Sequence, residues 1–146
     1  MKSGAVGIRK KMAFTLIELM IVIGIIGVLA AVAIPRFADA LEKANLGATL
    51  GNMGAIKSAI TVYYTSYAML PEDLNPEEPG LRTIMPEIPG VECRYPMLSS
   101  PYGNQVTRGT SIPSGAGQGW YYNYNEGSLY INSTEKDLYN NSYTIY

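Results

Sequence analysis

Few side chains in this sequence could do chemistry, and one is singled out by its surroundings. Glu18 is the one acid in the run Phe14–Ile34, where every residue but Thr15 is otherwise apolar or small. An ionised carboxylate in such a segment is costly unless it is paired or used, so Glu18 demands a partner. Elsewhere the inventory is thin. The chain has no histidine and one cysteine, Cys93, which removes histidine-based acid–base catalysis, Cys/His zinc sites and an intrachain disulfide. Glu72, Asp73, Glu77 and Glu78 form an acidic cluster, without the spaced Asp/Asn–Gly pattern of a calcium loop. No nucleophile elbow, phosphate loop or metal-ligand spacing appears. The expectation is a protein that is not an enzyme and carries no cofactor and no metal.

The elements that place Glu18 come next. A helix over residues 14–34 spans about 32 Å, against ~30 Å of bilayer hydrocarbon. Residues 1–13 hold Lys2, Arg9, Lys10 and Lys11 and no acid, which favours retention of this end in the cytoplasm. Setting those four aside leaves 7 basic residues against 12 acidic ones, a net of −5, so the remainder is no nucleic-acid binder on bulk charge. Topology alone describes an uncleaved signal anchor, N-in and C-out, carrying an extracytoplasmic protein.

After Pro35 the pattern turns amphipathic. Phe37, Leu41, Ala44, Ala48, Met53, Ile56, Ile60, Tyr63 or Tyr64, and Tyr67 recur at helical spacing, with most charges off that stripe. Helix over 14–67 would run about 54 residues, or ~80 Å. Its amphipathic half, residues 35–67, can cover a small sheet, whereas residues 14–34 need lipid or other copies. Pro35 predicts a kink. Gly24, Gly27, Gly47, Gly51 and Gly54 each weaken a helix by about 1 kcal/mol relative to alanine; for Gly24 and Gly27, close helix packing in a membrane is one reason to have them.

The helix should stop near Ala68–Pro71, since proline disfavours helix in the residue before it. Residues 71–118 are rich in proline and glycine and read as an irregular loop region. Residues 120–132, WYYNYNEGSLYIN, carry the clearest strand signal and predict an antiparallel hairpin turning at Asn125–Ser128. One face would rest on the helix and the other would be tyrosine-rich. The twelve tyrosines suggest a water-facing aromatic surface, for packing or for binding glycans or neighbouring subunits. Asn132 and Asn140 each begin an N-x-S/T triplet, a short pattern frequent by chance. The fold class is therefore α+β: a long N-terminal α-helix, transmembrane in its first half and amphipathic in its second, packed on a small antiparallel β-sheet in residues 68–146.

The stretch KKMAFTLIEL resembles the processing site of the type IV pilin and type II secretion pseudopilin superfamily, a class III prepilin-like signal: basic leader, small residue, then FTLIEL. Pro35 falls at the family's spacing, and Ala13 stands where those precursors usually have glycine. The resemblance implies that a prepilin peptidase cuts between Ala13 and Phe14 and that Phe14 is then N-methylated. It implies that Phe14, Glu18, Gly27 and Pro35 serve assembly. The new amine of an incoming subunit would neutralise Glu18 of a neighbour, and the stretch Gly27–Pro35 would unwind in a filament. More loosely, LPEDL, PYGN and the hairpin resemble the same proteins. The aspartate-rich calcium loop of major pseudopilins and the closing disulfide of some pilins are absent, so sheet pairing and packing should hold the tail.

The function expected from this resemblance is a structural subunit of a type IV pilus or pilus-like filament. It would lie in the inner membrane before assembly and in an extracellular or periplasmic homo-oligomeric helical filament afterwards. Its partners would be the prepilin peptidase, an inner-membrane assembly platform and a cytoplasmic ATPase. The alternatives are a major pseudopilin of a type II secretion system, a minor pilin, or a signal-anchored extracytoplasmic protein.

Overall fold

The computed structural model describes residues 14–74, 81–94 and 100–146. A single long helix, α1 (Leu16–Tyr67), is followed by a 3-10 turn at Leu81–Thr83. Three strands follow, β1 (Val106–Gly109), β2 (Ala116–Asn123) and β3 (Ser128–Ser133), and a closing 3-10 turn at Tyr143–Ile145. The chain divides within α1 into two compact units, Met1–Ala38 and Asp39–Tyr146.

In the first unit the described residues are helix from Leu16 onward, and the large apolar side chains from Phe14 to Phe37 are all exposed. The helix continues through Pro35, and the stretch Gly27–Pro35, expected to unwind in a filament, is helical here.

In the second unit the helix buries Leu46, Thr49, Met53, Ile56, Ala59, Ile60 and Tyr63, spacings of three and four that lay one face on the core. From Met53 to Tyr63 this is the expected stripe, but Tyr67, expected to continue it, is exposed at the end of the helix. Before Met53 the buried face runs through Leu46 and Thr49, while Leu41, Ala44 and Ala48 are exposed. Leu46 carries more apolar surface than either alanine, and Thr49 is held there by polar contacts. Its hydroxyl donates to the carbonyl of Asn45 at 2.9 Å and accepts the N–H of Glu92 at 2.9 Å. Asn52 Nδ2 donates to the Gly90 carbonyl at 2.8 Å, and Glu42 accepts the N–H of Arg94 at 3.0 Å. One helix edge thus satisfies the backbone of residues 90–94, which carry no regular strand.

The sheet is mixed. β2 and β3 form the expected antiparallel hairpin, Trp120 opposite Ile131 and Tyr122 opposite Leu129. β1 adds in parallel, Val106 beside Trp120 and Gly109 beside Asn123, so the sheet is not purely antiparallel. Residues 110–115 are the crossover that permits this pairing. Gly119 lies at the break in the β2–β3 register between Ala116 and Trp120, and beside the residue that precedes β1. Its φ is +70°, and a β-carbon there would stand 2.1 Å from the Gln105 carbonyl oxygen, a position that only glycine fills. Strand alternation buries Trp120, Tyr122, Leu129 and Ile131.

The hairpin turn falls one residue earlier than expected. Tyr124 is in the turn rather than the strand, because Asn123 is buried and its Oδ1 accepts the N–H of Asn125 at 3.1 Å. A side-chain turn of this kind diverts the backbone before the next pair can form.

Candidate functional site

The chemistry at Glu18 begins with its neighbour Thr15. Thr15 is the residue before the first helical position, where backbone N–H groups have no intrahelical acceptor. Glu18 Oε2 accepts the backbone N–H of Thr15 at 2.8 Å and its hydroxyl at 2.9 Å. In return the Thr15 hydroxyl oxygen accepts the N–H of Glu18 at 3.3 Å. This reciprocal arrangement is a capping box. It gives the carboxylate two hydrogen bonds inside its own helix end and leaves Oε1 outside both. The signal was present in the sequence as T-x-x-E ahead of an apolar run, and Thr15 is the site residue that sequence reasoning passed over.

Phe14, next to the cap, is 85% exposed. Ala13 lies outside the described residues. Gly27 and Pro35 sit on the same helix, and a β-carbon added at Gly24 or Gly27 would meet nothing within 4 Å. Ile21, Gly24, Ile25, Val28 and Leu29 line a shallow apolar hollow of about 360 Å³. The glycines therefore fill no packing need within the chain. Among the described residues, α1 is the one helix long and apolar enough to cross a membrane.

The remaining candidates do not join this site. Cys93 is fully buried, and burial pushes its thiol up, against smaller opposing hydrogen bonds with Thr49 and Tyr143; such a thiol is a poor nucleophile. Among the described residues no three His, Cys, Asp or Glu side chains gather as a metal site; Glu77 and Glu78 lie outside those residues. The tyrosines divide. Tyr121 and Tyr130 are half-buried on the outer sheet face, whereas Tyr63, Tyr122 and Tyr143 are core residues. Tyr122 donates its hydroxyl to the Pro71 carbonyl at 2.8 Å, so part of the tyrosine-rich pattern serves packing. Asn132 spends its amide on Thr107 Oγ1 at 3.0 Å and the Gln118 carbonyl at 3.3 Å.

The C-terminal tail is held by a residue that the sequence did not single out. Asp137 is buried and receives two backbone N–H groups and a hydroxyl, so a carboxylate secures the tail in addition to packing.

Comparison with known proteins finds a family match at the N-terminal end of the chain and relatives over part of it. Residues 8–34 match a family model described as a prokaryotic N-terminal methylation motif. Over 60 residues, 41% of this chain, it is 47% identical to a type IV major pilin protein, PilE, of Neisseria gonorrhoeae. It is 43% identical over 60 residues to a fimbrial protein, EcpC, of Eikenella corrodens, and 47% identical over 58 residues to a fimbrial protein of Neisseria meningitidis serogroup B. These matches span 36%, 39% and 34% of the relatives' own lengths, so the likeness does not extend to most of either partner. No solved structure matches the chain.

Proposed function

We propose, from the type IV pilin-like methylation signal that this chain carries, that it is a structural subunit of a type IV pilus or pilus-like filament. Residues 1–13 are its leader, removed between Ala13 and Phe14 by a prepilin peptidase, after which Phe14 is N-methylated. Residues 14–34 anchor the subunit in the inner membrane and later bundle with the same segments of other copies. An inner-membrane platform and a cytoplasmic ATPase drive extraction, because nothing in the chain itself supplies energy. The protein acts by packing, not by catalysis.

The observation that carries this reading is the pairing of an exposed apolar helix segment with one acid that its own helix end already orients. An anchor alone has no use for such an acid. In a low-dielectric bundle, a carboxylate with two bonds in place and Oε1 outside them can take a neighbour's N-terminal amine as its remaining partner. A buried ion pair is stable only when geometry and further hydrogen bonds support it, and the cap provides these. The pair would register successive subunits. The curated relatives named above are pilins and fimbrial proteins, which supports the pilus reading over the pseudopilus one.

Mass spectrometry of the protein purified from its cells tests this. The expected mature chain begins at N-methylated Phe14 and is recovered in sheared filaments. A native chain beginning at Met1, with no filament fraction, would overturn it.

A further inference from the structure

After β3 ends at Ser133, the chain winds round one side chain. Asp137 is 4% exposed. Its Oδ1 accepts the backbone N–H of Tyr139 at 2.8 Å and of Asn141 at 2.9 Å, and its Oδ2 accepts the hydroxyl of Tyr146. Backbone bonds close the same ring, from Asp137 N to the Asn141 carbonyl at 2.8 Å and from Asn140 N to the Asp137 carbonyl at 3.0 Å. Asn140 takes a φ of +65° to make the bend. Beyond it, Tyr143 N bonds the Glu135 carbonyl at 2.9 Å, and the Tyr143 ring is buried beside Cys93.

We propose that residues 134–146 are a latch held closed by one carboxylate, and that protonating Asp137 releases the tail while the sheet stays folded.

All three groups that bond the carboxylate are neutral donors, so its charge is stabilised by dipoles and not by a cation. A protonated carboxyl accepts more weakly and brings a proton of its own among three donors. Both effects work against the closed ring. The groups that face it come from every element packed there. The tail supplies Glu135, Lys136 (bonded to Asn140 Oδ1 at 3.0 Å), Tyr139, Tyr143 and Tyr146. The 91–94 segment supplies Cys93, whose thiol feels the charges of both Asp137 and Glu42. The helix supplies Glu42 and Lys43, the latter 5.9 Å from the Tyr139 ring centre.

Burial pushes the Asp137 carboxyl up, but the bonds from Tyr146, Asn141 and Tyr139 outweigh it and hold the group below the usual carboxylate range. The closed form is therefore fully favoured above the ordinary aspartate value, about 3.9, and is lost as pH falls through the lower folded value. The sheet does not share this dependence. Its backbone ladders join β1, β2 and β3 without the tail. The tail meets β3 through Glu135 N to Ser133 Oγ at 3.1 Å and through the turn at Tyr143–Ile145, and Thr134 N bonds the Gly115 carbonyl at 3.2 Å just ahead of β2.

Cys93 reports on the latch, since its thiol is hydrogen-bonded to the buried Tyr143 of the tail and it is the chain's one cysteine. The test uses full-length protein in detergent micelles. Its readouts are the rate of Cys93 modification by dithiodipyridine, which reacts in acid, and Trp120 fluorescence as the monitor of the sheet. Rates are taken relative to the denatured chain at each pH. Asp137→Asn is expected to raise the rate at pH 7 at least tenfold with Trp120 emission unchanged. The wild type should show an acid step in rate that Asp137→Asn lacks, and Tyr146→Phe should move that step to higher pH. If Asp137→Asn does not fold, Tyr146→Phe decides alone, because it keeps the charge and removes one donor. An unchanged rate in the folded variants, or a shift of Trp120 emission at the same pH as the step, would overturn the proposal.

Discussion

Thr15 and Glu18 bond each other in both directions across the first turn of α1, side chain to backbone each way. The acid in the apolar run is thus a helix cap before it is anything else. That changes what each substitution should do. Glu18→Val removes both the cap acceptor and the charge; it should insert into the membrane normally and yield at least tenfold fewer filaments. Thr15→Val keeps the charge and removes the hydroxyl that orients it, so it should give an intermediate filament yield with processing intact. Electron microscopy of sheared filaments, with membrane fractions blotted alongside, measures both. Wild-type filament abundance in Glu18→Val would end the registration idea.

Tyr122 is one of the core residues with a polar tip. Its hydroxyl bonds the Pro71 carbonyl at 2.8 Å, which fixes the chain just beyond the helix to the middle of the sheet. Tyr122→Phe leaves that carbonyl without its donor and should destabilise the protein by about 1–3 kcal/mol, read by denaturant unfolding. Burial, with the charges of Asp73 and Tyr63, pushes the phenol up to about 12. The folded value lies above the unfolded value of about 10, so its stabilising contribution is complete below about pH 10 and is lost as pH rises towards 12. Alkaline unfolding in that window should be shallower in Tyr122→Phe.

Periodicity made the helix, its end near Tyr67 and the hairpin legible, because each follows from local pattern: apolar spacing, Pro71, and alternation round Trp120. What escaped were interactions between segments distant in sequence. β1 has four residues and little pattern of its own; it exists because Gly119 lets Gln105 approach. Thr49 on the buried face looks like a flaw in an apolar stripe until its acceptor role for Glu92 is seen. Asp137 gives no sign in sequence, since an Asp in a polar tail is commonplace and its partners include the final residue. The capping box is the exception, a local T-x-x-E pattern at Thr15 and Glu18.

The helix ends without the residue usually chosen for the purpose. Ala68 takes a φ of +54°, with its N–H on the Tyr64 carbonyl at 2.8 Å, the left-handed cap that glycine normally supplies. An L-residue there carries a penalty of roughly 1–2 kcal/mol from its β-carbon. Ala68→Gly should recover about 1 kcal/mol after the entropy of glycine in the unfolded chain is set against it. Thermal unfolding of the dispersed protein is the measurement, and a lower midpoint would show that the alanine side chain is making contacts of value.

Gly47, Gly51 and Gly54 present the opposite case. All three lie within α1 on its exposed side, and a β-carbon at any of them would meet nothing within 4 Å. Nothing in the folded chain repays their helix penalty, so alanine at each position should stabilise the dispersed protein by about 1 kcal/mol. Part of that gain comes from restricting the unfolded chain and not from any new contact. The three single variants and the triple should be compared by denaturant unfolding in the same detergent. A rise in midpoint that adds across the three sites is expected, with an unchanged denaturant slope. A fall at any one of them would show that this face of the helix is approached closely by something, even in the dispersed protein.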